Sequence, residues 1–333
     1  MRKRPGLVRA VVGLVRDALE AFWTLAKLMV PVMILTRVLQ QVGAVEVLGR
    51  ALSPLMGIVG LPGSIGLAWA TAMLVNMYGG MVVFASLPEA ASLTAAQATV
   101  LGCMILVAHS LPMELRIAQK AGPRLRALAP LRVLGALTLG WIVHRTCATF
   151  GLLQGPCAIL MKRTPPEPSW GAWGLQQVQN LAVIFVIILA LLALLGVLKW
   201  LRITDLLLVP LMPVLRMLGL SEHAAPLTIV GMTLGITYGG GLIIKEAKSG
   251  RLSSRDVFFS LALLSLCHSL IEDTLLMVAI GAHLWTVLVA RILFGLAVVF
   301  LLARLLGRLP DERFERFLVR PQPGRPAGEP VDE

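Results

Sequence analysis

The chain has 333 residues, of which 57% are apolar and only 14% are charged, and its net charge is +12. Soluble domains carry charge on about a quarter of their residues, so this composition excludes a water-soluble globule. The basic residues lie at the edges of apolar segments, where they orient helices and bind anionic lipid. Membrane lipid is therefore the expected partner, and nucleic acid is not.

The apolar residues fall in windows of about 20 residues, the length of a helix that crosses the hydrocarbon core. These windows predict an all-α integral membrane protein. Before the first window, residues 1–19 are basic and are predicted to form an amphipathic helix on the cytoplasmic membrane surface. No small-residue cleavage site follows, so a cleavable signal peptide is not expected.

Ten apolar segments follow, five on each side of a polar stretch at 151–178. The second segment of each set is short and contains proline, which predicts a broken or re-entrant helix. We therefore expect about ten (8–10) transmembrane segments. The predicted segments are 20–42, 47–60, 65–87, 93–120 and 126–150, then 179–200, 205–219, 225–246, 254–280 and 284–307.

The two sets are copies of one unit. Residues 76–80 (Asn-Met-Tyr-Gly-Gly) match 236–240 (Ile-Thr-Tyr-Gly-Gly), and the His-Ser-Leu sequence at 109–111 recurs at 268–270. From residue 93 to 145 the second copy follows at a constant offset of 159, with single-residue slips around the Tyr-Gly-Gly motif. The chain thus divides into a first repeat at 20–150, an inter-repeat loop at 151–178, a second repeat at 179–309 and a proline-rich tail at 310–333, predicted to be disordered.

Loop charge predicts the orientation of the repeats. The loop after the first Tyr-Gly-Gly segment, 88–91, has no Lys or Arg, whereas its counterpart contains Lys245, Lys248 and Arg251. By the positive-inside rule these equivalent loops lie on opposite sides of the membrane. Five crossings per repeat satisfy this pattern and predict an inverted-topology repeat in the bacterial inner membrane, with both termini cytoplasmic.

The candidate functional residues are the buried ionisable groups of the His-Ser-Leu motifs, because such groups usually face a cavity or a partner in a membrane. On a continuous helix, Glu272 stacks on His268 at a spacing of four. A spacing of five turns Glu114 away from His109, and Asp273 away from His268. A pseudo-two-fold axis brings both motifs toward the bilayer midplane, where transporters of this architecture bind substrate.

Three interpretations of these residues stay open. The histidines can hydrogen-bond to neighbouring backbone while the acids pair with Arg116, Arg132 or Arg291, which holds helices together. Alternatively, the motifs can form a proton or cation relay. The third is a transition-metal site with His268, Glu272 and Cys267 as candidate ligands. The sequence has no P-loop, nucleophile elbow or HExxH motif, so an enzyme is not expected, and no cofactor is predicted.

The paired Tyr-Gly-Gly motifs are the other candidate site. Consecutive glycines weaken a helix and expose backbone, so these stretches are candidates to line a cavity. Close helix packing is the alternative, since glycines favour it in lipid. The polar candidates are Asn76, Tyr78, Thr237 and Tyr238, and the backbone candidates are Gly79, Gly80, Gly239 and Gly240.

The Tyr-Gly-Gly and His-Ser-Leu blocks, at 48–115 and 206–274, resemble the nucleoside recognition (Gate) domain family of bacterial membrane proteins. That family includes the spore maturation proteins and is related to the membrane part of ferrous-iron transporters. The resemblance implies a secondary transporter or permease for a small polar solute or ion, with its site between inverted repeats. It equally allows a non-transporting scaffold or assembly factor, or a divalent metal transporter. The sequence leaves a homo-oligomer open.

Overall fold

The computed structural model describes residues 7–158, 169–200 and 211–319, which are mostly helical. The helices of the first half are α1 Leu7–Gln41, α2 Ala44–Ile58, α3 Ile65–Leu74, α4 Met77–Ser86, α5 Ala95–Val107, α6 Leu111–Ala121 and α7 Leu125–Phe150. Those of the second half are α8 Trp170–Trp200, α9 Leu211–Met217, α10 Ala224–Leu234, α11 Ile236–Lys248, α12 Ser254–Leu266, α13 Glu272–Ala279, α14 Leu284–Leu306 and α15 Asp311–Leu318. A 3₁₀ turn, Pro88–Ser92, precedes α5.

Five helical stretches of the described chain are long and apolar enough to cross a bilayer. The other predicted segments are shorter or broken: 65–87 forms α3 and α4, 225–246 forms α10 and α11, and 254–280 forms α12 and α13. The predicted number of crossings, eight to ten, therefore stays a prediction. The five long stretches are Val12–Gln41, Ala95–Ala121, Leu125–Phe150, Trp170–Leu194 and Leu284–Leu306. Of these, Ala95–Ala121 is also broken, since it comprises α5 and α6.

The two halves share one pattern of helices. Four helices of the second half, α10, α11, α12 and α14, begin 159 residues after their counterparts α3, α4, α5 and α7. Because α4 and α11 keep this offset, Tyr78 matches Thr237. The predicted slip that matched Tyr78 with Tyr238 is therefore wrong. The same register holds in the packing, since Gly80 lies against Ala72 and Gly239 lies against the equivalent Gly231.

The N-terminal boundary differs from the prediction. Helix α1 runs without interruption from Leu7 to Gln41, so the predicted surface helix at 1–19 and the span at 20–42 are one helix where they are described. No Pro or Gly lies near residue 19 to break it, and the apolar stretch begins at Val12. Helix α8 likewise begins at Trp170, inside the predicted inter-repeat loop 151–178.

The predicted disorder of the tail is wrong for residues 311–318, which form α15. Phe314 is fully buried against the rings of Phe258 and Phe259. Arg124 donates a hydrogen bond from Nε to the Val319 carbonyl at 3.0 Å. Contacts with distant parts of the chain therefore order this helix, and residues 320–333 lie outside the described chain.

Candidate functional site

The candidate site forms where two helices break. Helix α5 ends at Val107 and α6 begins at Leu111, and the equivalent chain between α12 and α13 is also non-helical. At each break a serine adopts left-handed backbone angles, with φ of 46° at Ser110 and 45° at Ser269. This conformation costs a non-glycine residue about 1–2 kcal/mol. Both breaks thus hold the chain in the same uncommon turn beside a histidine.

Two buried arginines satisfy the carbonyls that the breaks leave without helical partners. Arg132 Nε donates to the Val107 carbonyl at 2.8 Å, and Arg291 Nε donates to the equivalent Leu266 carbonyl at 3.0 Å. A second nitrogen of Arg291, Nη2, donates to the Leu106 carbonyl at 3.1 Å. Carbonyls at a helix C-terminus need such partners in a membrane, and a cation there is favoured by the helix dipole.

The histidines and acids of both motifs meet in one buried cluster. The central cluster, as we call it, consists of His109, Glu114, His268 and Asp273, each at most 4% exposed. Glu114 Oε1 lies 3.0 Å from His109 Nε2 and 3.6 Å from His268 Nε2. Asp273 Oδ2 lies 3.9 Å from the same two nitrogens, and the imidazole centroids are 5.1 Å apart. The two halves of the chain therefore share one polar site.

The histidine hydrogen bonds indicate which ring nitrogen carries hydrogen. His109 Nδ1 lies 2.9 Å from the Ile105 carbonyl, and His268 Nδ1 lies 2.6 Å from the equivalent Leu264 carbonyl. A carbonyl can only accept, so Nδ1 donates in both rings. Each Nε2 then directs a lone pair at carboxylate oxygens unless it is also protonated. Such facing acceptors repel each other, so this arrangement favours a proton or another cation among them.

The two acids of the central cluster have different partners. Glu114 Oε2 accepts a hydrogen bond from Arg132 Nη1 at 2.5 Å, which forms a buried ion pair. Asp273 Oδ2 is buried and has no hydrogen-bond partner in the described chain. A buried carboxylate oxygen without a donor is unfavourable. The second half of the site thus contains the unsatisfied acid.

The structure changes the geometry that helical spacing predicted. Glu114 and Asp273 were expected to point away from the histidines, and this is wrong because the helix does not continue through either break. Glu272 was expected to stack on His268, but it is half-buried at the start of α13 and takes no part in the cluster's contacts. The chain between them is not helical, so the spacing of four does not apply.

The metal ligand set suggested by sequence also changes. Donor atoms of His109, His268 and Asp273 all lie within 4.8 Å of one another, a separation suited to a metal ion. That group contains neither Glu272 nor Cys267. A carbon added at Gly295 would meet the Cys267 Cβ at 3.1 Å, so this cysteine packs closely against α14.

The Tyr-Gly-Gly motifs lie just after breaks in their helices. The Asn76 side chain caps α4, accepting from the Gly79 N–H at 2.8 Å, and the glycines themselves are helical. A carbon added at Gly80 would approach the Ala72 Cβ to 2.6 Å, which favours the close-packing interpretation. Tyr78 is half-buried.

The second motif is described in part. Gly239 packs closely against Gly231 of α10, as Gly80 packs against Ala72 of α3. Gly240 lies next to Ile117 of α6. The break before α11 falls at Gly235, whose φ of 91° favours glycine. The side chains of Thr237 and Tyr238 lie outside the described part of the structure.

Sequence reasoning did not assign the arginines to the broken helix ends. The sequence does contain a feature that distinguishes these arginines, because Arg132 and Arg291 occupy equivalent positions and Arg291 lies inside an apolar span. The central cluster is also buried, and none of its four residues is more than 4% exposed. Two pockets of about 210 and 150 Å³ lie elsewhere, the first beside Leu218 and Phe300 and the second beside His144, and no cluster residue lines either.

Comparison with known proteins adds one relative. No protein-family model and no solved structure matches the chain. A protein of Bacillus subtilis (strain 168), named uncharacterized membrane protein YvoD, is 26% identical to it over 282 residues, which are 82% of this chain and 87% of the relative. Together with the long apolar helices, this similarity identifies the chain as a membrane protein.

Proposed function

We propose that the chain is a permease of the bacterial inner membrane that moves a small polar solute or ion, and that a cation binds at the central cluster. The observation that carries this proposal is the pair of imidazoles, each with Nδ1 donating to a carbonyl and Nε2 facing the acids. Two half-site motifs meeting at helix breaks are typical of transporters with internal repeats. No enzymatic step is proposed.

We further propose that the repeats have inverted topology. Contacts at one end support this: the Ala95 N–H donates to the Gly155 carbonyl at 2.9 Å, and the His283 N–H donates to Thr99 Oγ1 at 2.9 Å. These contacts bring the start of α5, the loop after α7 and the start of α14 together. Equivalent helices α7 and α14 thus run in opposite directions.

Contacts at the opposite end support the same topology. Helix α15 contacts the start of α7, where the Arg124 N–H donates to the Leu318 carbonyl at 2.8 Å. It also contacts the start of α12, where Ser254 Oγ donates to Glu315 Oε1 at 2.7 Å. This end carries Arg124, Arg126 and Arg255, so we propose that it is cytoplasmic. An inverted repeat around a shared site agrees with the Gate-domain resemblance, which remains part of the proposal.

The proposal is tested by flux into liposomes that contain the purified full-length chain. We expect at least one of H⁺, Na⁺, K⁺ or Mn²⁺ to enter faster than in protein-free liposomes, and Asp273→Asn to reduce this flux to background. Glu272→Gln is the matched control, because Glu272 adjoins Asp273 but lies outside the cluster, and it should retain flux. Background flux for all four ions with folded protein would overturn the proposal.

One observation favours a second function, a non-transporting scaffold. The cluster is buried and its first acid is paired with Arg132, an arrangement that also holds helices together. A scaffold predicts no flux for any ion and a large loss of stability from every cluster substitution. A permease predicts that Asp273→Asn removes flux while the protein stays folded.

A further inference from the structure

The donor atoms of the central cluster define a chemical class of cation. The closest donors of His109, His268 and Asp273 lie within 4.8 Å of one another, and each belongs to a buried side chain. In a tetrahedral site with bonds of about 2.0–2.1 Å, donors are about 3.4 Å apart. The Nε2–Oδ2 distances of 3.9 Å exceed this by only a few tenths of an ångström. All three donor separations are at most 4.8 Å, so side-chain movements of up to about an ångström bring the three donors onto one ion.

The hydrogen bonds behind the imidazoles prepare them to bind a metal. A metal-binding histidine usually donates its other ring N–H to a carbonyl or carboxylate, which fixes the tautomer and the ring orientation. Both histidines do this through Nδ1, toward the Ile105 and Leu264 carbonyls. In the neutral tautomer this leaves Nε2 of both rings without hydrogen, and both Nε2 atoms lie 3.9 Å from Asp273 Oδ2.

Asp273 provides an independent indication of a ligand. Its Oδ2 atom is buried, lacks a hydrogen-bond partner in the described chain and is equidistant from the two Nε2 atoms at 3.9 Å. Glu114, by contrast, is held by Arg132 through Oε2, while its Oε1 remains near both histidines. The oxygen that lacks a donor therefore lies where a metal ion would be held.

The surrounding charge permits a bound cation but does not favour tight binding. Arg132 is paired with Glu114, so its charge is compensated. Arg291 contacts the carbonyl end of α12, where the negative end of the helix dipole partly offsets its charge. Because Arg291 still repels a second cation, the ion should bind reversibly, as a permeating ion must.

We infer that the central cluster binds a divalent first-row transition-metal ion through His109 Nε2, His268 Nε2 and Asp273 Oδ2, and that this ion is the permeating cation. This inference rests on the proposed function. Two imidazoles and a carboxylate suit such ions, whereas Mg²⁺ and Ca²⁺ prefer all-oxygen sites and Cu⁺ prefers sulfur.

Titration of the purified full-length protein in detergent with Co²⁺ tests the inference. We expect one Co²⁺ per chain, with visible d–d absorption and imidazole scattering in its X-ray absorption spectrum. Zn²⁺ should displace it and Mg²⁺ should not. The variants His109→Gln, His268→Gln and Asp273→Asn should each weaken binding by about ten-fold or more, since even the partners behind metal ligands contribute that much. The controls Glu272→Gln and His144→Gln should bind as the unaltered protein does.

The outcomes separate this inference from the proposed function. Two results would overturn the metal assignment, even when another ion crosses the liposome membrane. In the first, Co²⁺ binding is lost in His144→Gln but kept in Asp273→Asn. In the second, no Co²⁺ binds with imidazole coordination. If Co²⁺ binds at the cluster and no ion crosses, the site is supported and the permease fails. Should a variant fail to fold, the Co²⁺ spectrum of the unaltered protein and its competition with Zn²⁺ and Mg²⁺ still test whether a transition-metal ion binds with imidazole coordination.

Discussion

The two halves of the molecule contain the same turn, but the acid that follows the turn has different partners in each half. Each half breaks a helix at a left-handed serine, orients a histidine through a backbone carbonyl and places an arginine on the broken end. In the first half Arg132 also binds Glu114. In the second half the equivalent Arg291 binds a carbonyl of the first half instead, and Asp273 Oδ2 has no donor within the described chain.

The difference follows from the length of one side chain. Glu114 and Asp273 are equivalent positions at the offset of 159, and glutamate is longer than aspartate by one methylene. The longer acid reaches both the histidine and the arginine, whereas the shorter one stays between the histidines. The two copies of the motif thus hold one acid through an arginine and leave the other without a hydrogen bond to Oδ2 in the described chain.

The largest difference in stability should come from the arginines. Arg132→Met leaves the buried Glu114 without its partner, so we expect a loss of about 3–5 kcal/mol in the free energy of unfolding. Arg291→Met removes two charge-assisted hydrogen bonds to carbonyls but leaves no buried charge without a partner, so the expected loss is smaller than for Arg132→Met, which loses such a bond and the ion pair together. Titration with SDS in mixed micelles measures both.

Arg116→Met is the matched control for the arginines, because Arg116 is exposed on α6, and it should change stability by less than about 0.5 kcal/mol. Equal losses from Arg132→Met and Arg291→Met would contradict the proposed difference between the halves.

The close packing of the glycines should be common to both halves. Gly80→Ala and Gly239→Ala place a carbon 2.6 Å from the Ala72 Cβ and 2.2 Å from the Gly231 Cα, respectively. We expect each to destabilise the protein by about 1–3 kcal/mol through overpacking. Gly241→Ala, which meets open space, is the control and should not destabilise. If Gly241→Ala proved as harmful as Gly239→Ala, the packing interpretation would be wrong.

The smallest effect should come from the serines at the breaks. Ser110→Gly and Ser269→Gly relieve left-handed strain, so each should raise stability by up to about 1 kcal/mol. Ser110→Ala and Ser269→Ala keep the strain and serve as controls without that gain. The same unfolding titration measures all four, and a gain in one half alone would show that the two turns are not equivalent.

The sequence was sufficient to predict the helical membrane class, and its two His-Ser-Leu motifs contain the histidines and acids that meet in the central cluster. It did not predict the breaks, because 93–120 reads as one apolar run and serine gives no strong signal for a left-handed turn. Helical spacing consequently misplaced Glu114, Glu272 and Asp273. The local sequence also could not predict that α15 is ordered, because this order depends on Phe314 packing against the distant Phe258.

In the proposed site, Asp273 receives the cation, whereas Arg132 neutralises Glu114. Asp273→Asn tests it most directly, with flux into liposomes and SDS unfolding measured on the same preparation. Because Oδ2 has no hydrogen bond to lose within the described chain and its charge is unfavourable where it is buried, we expect flux to fall to background while the free energy of unfolding does not decrease. Unchanged flux in folded Asp273→Asn protein would show that Asp273 does not receive the cation.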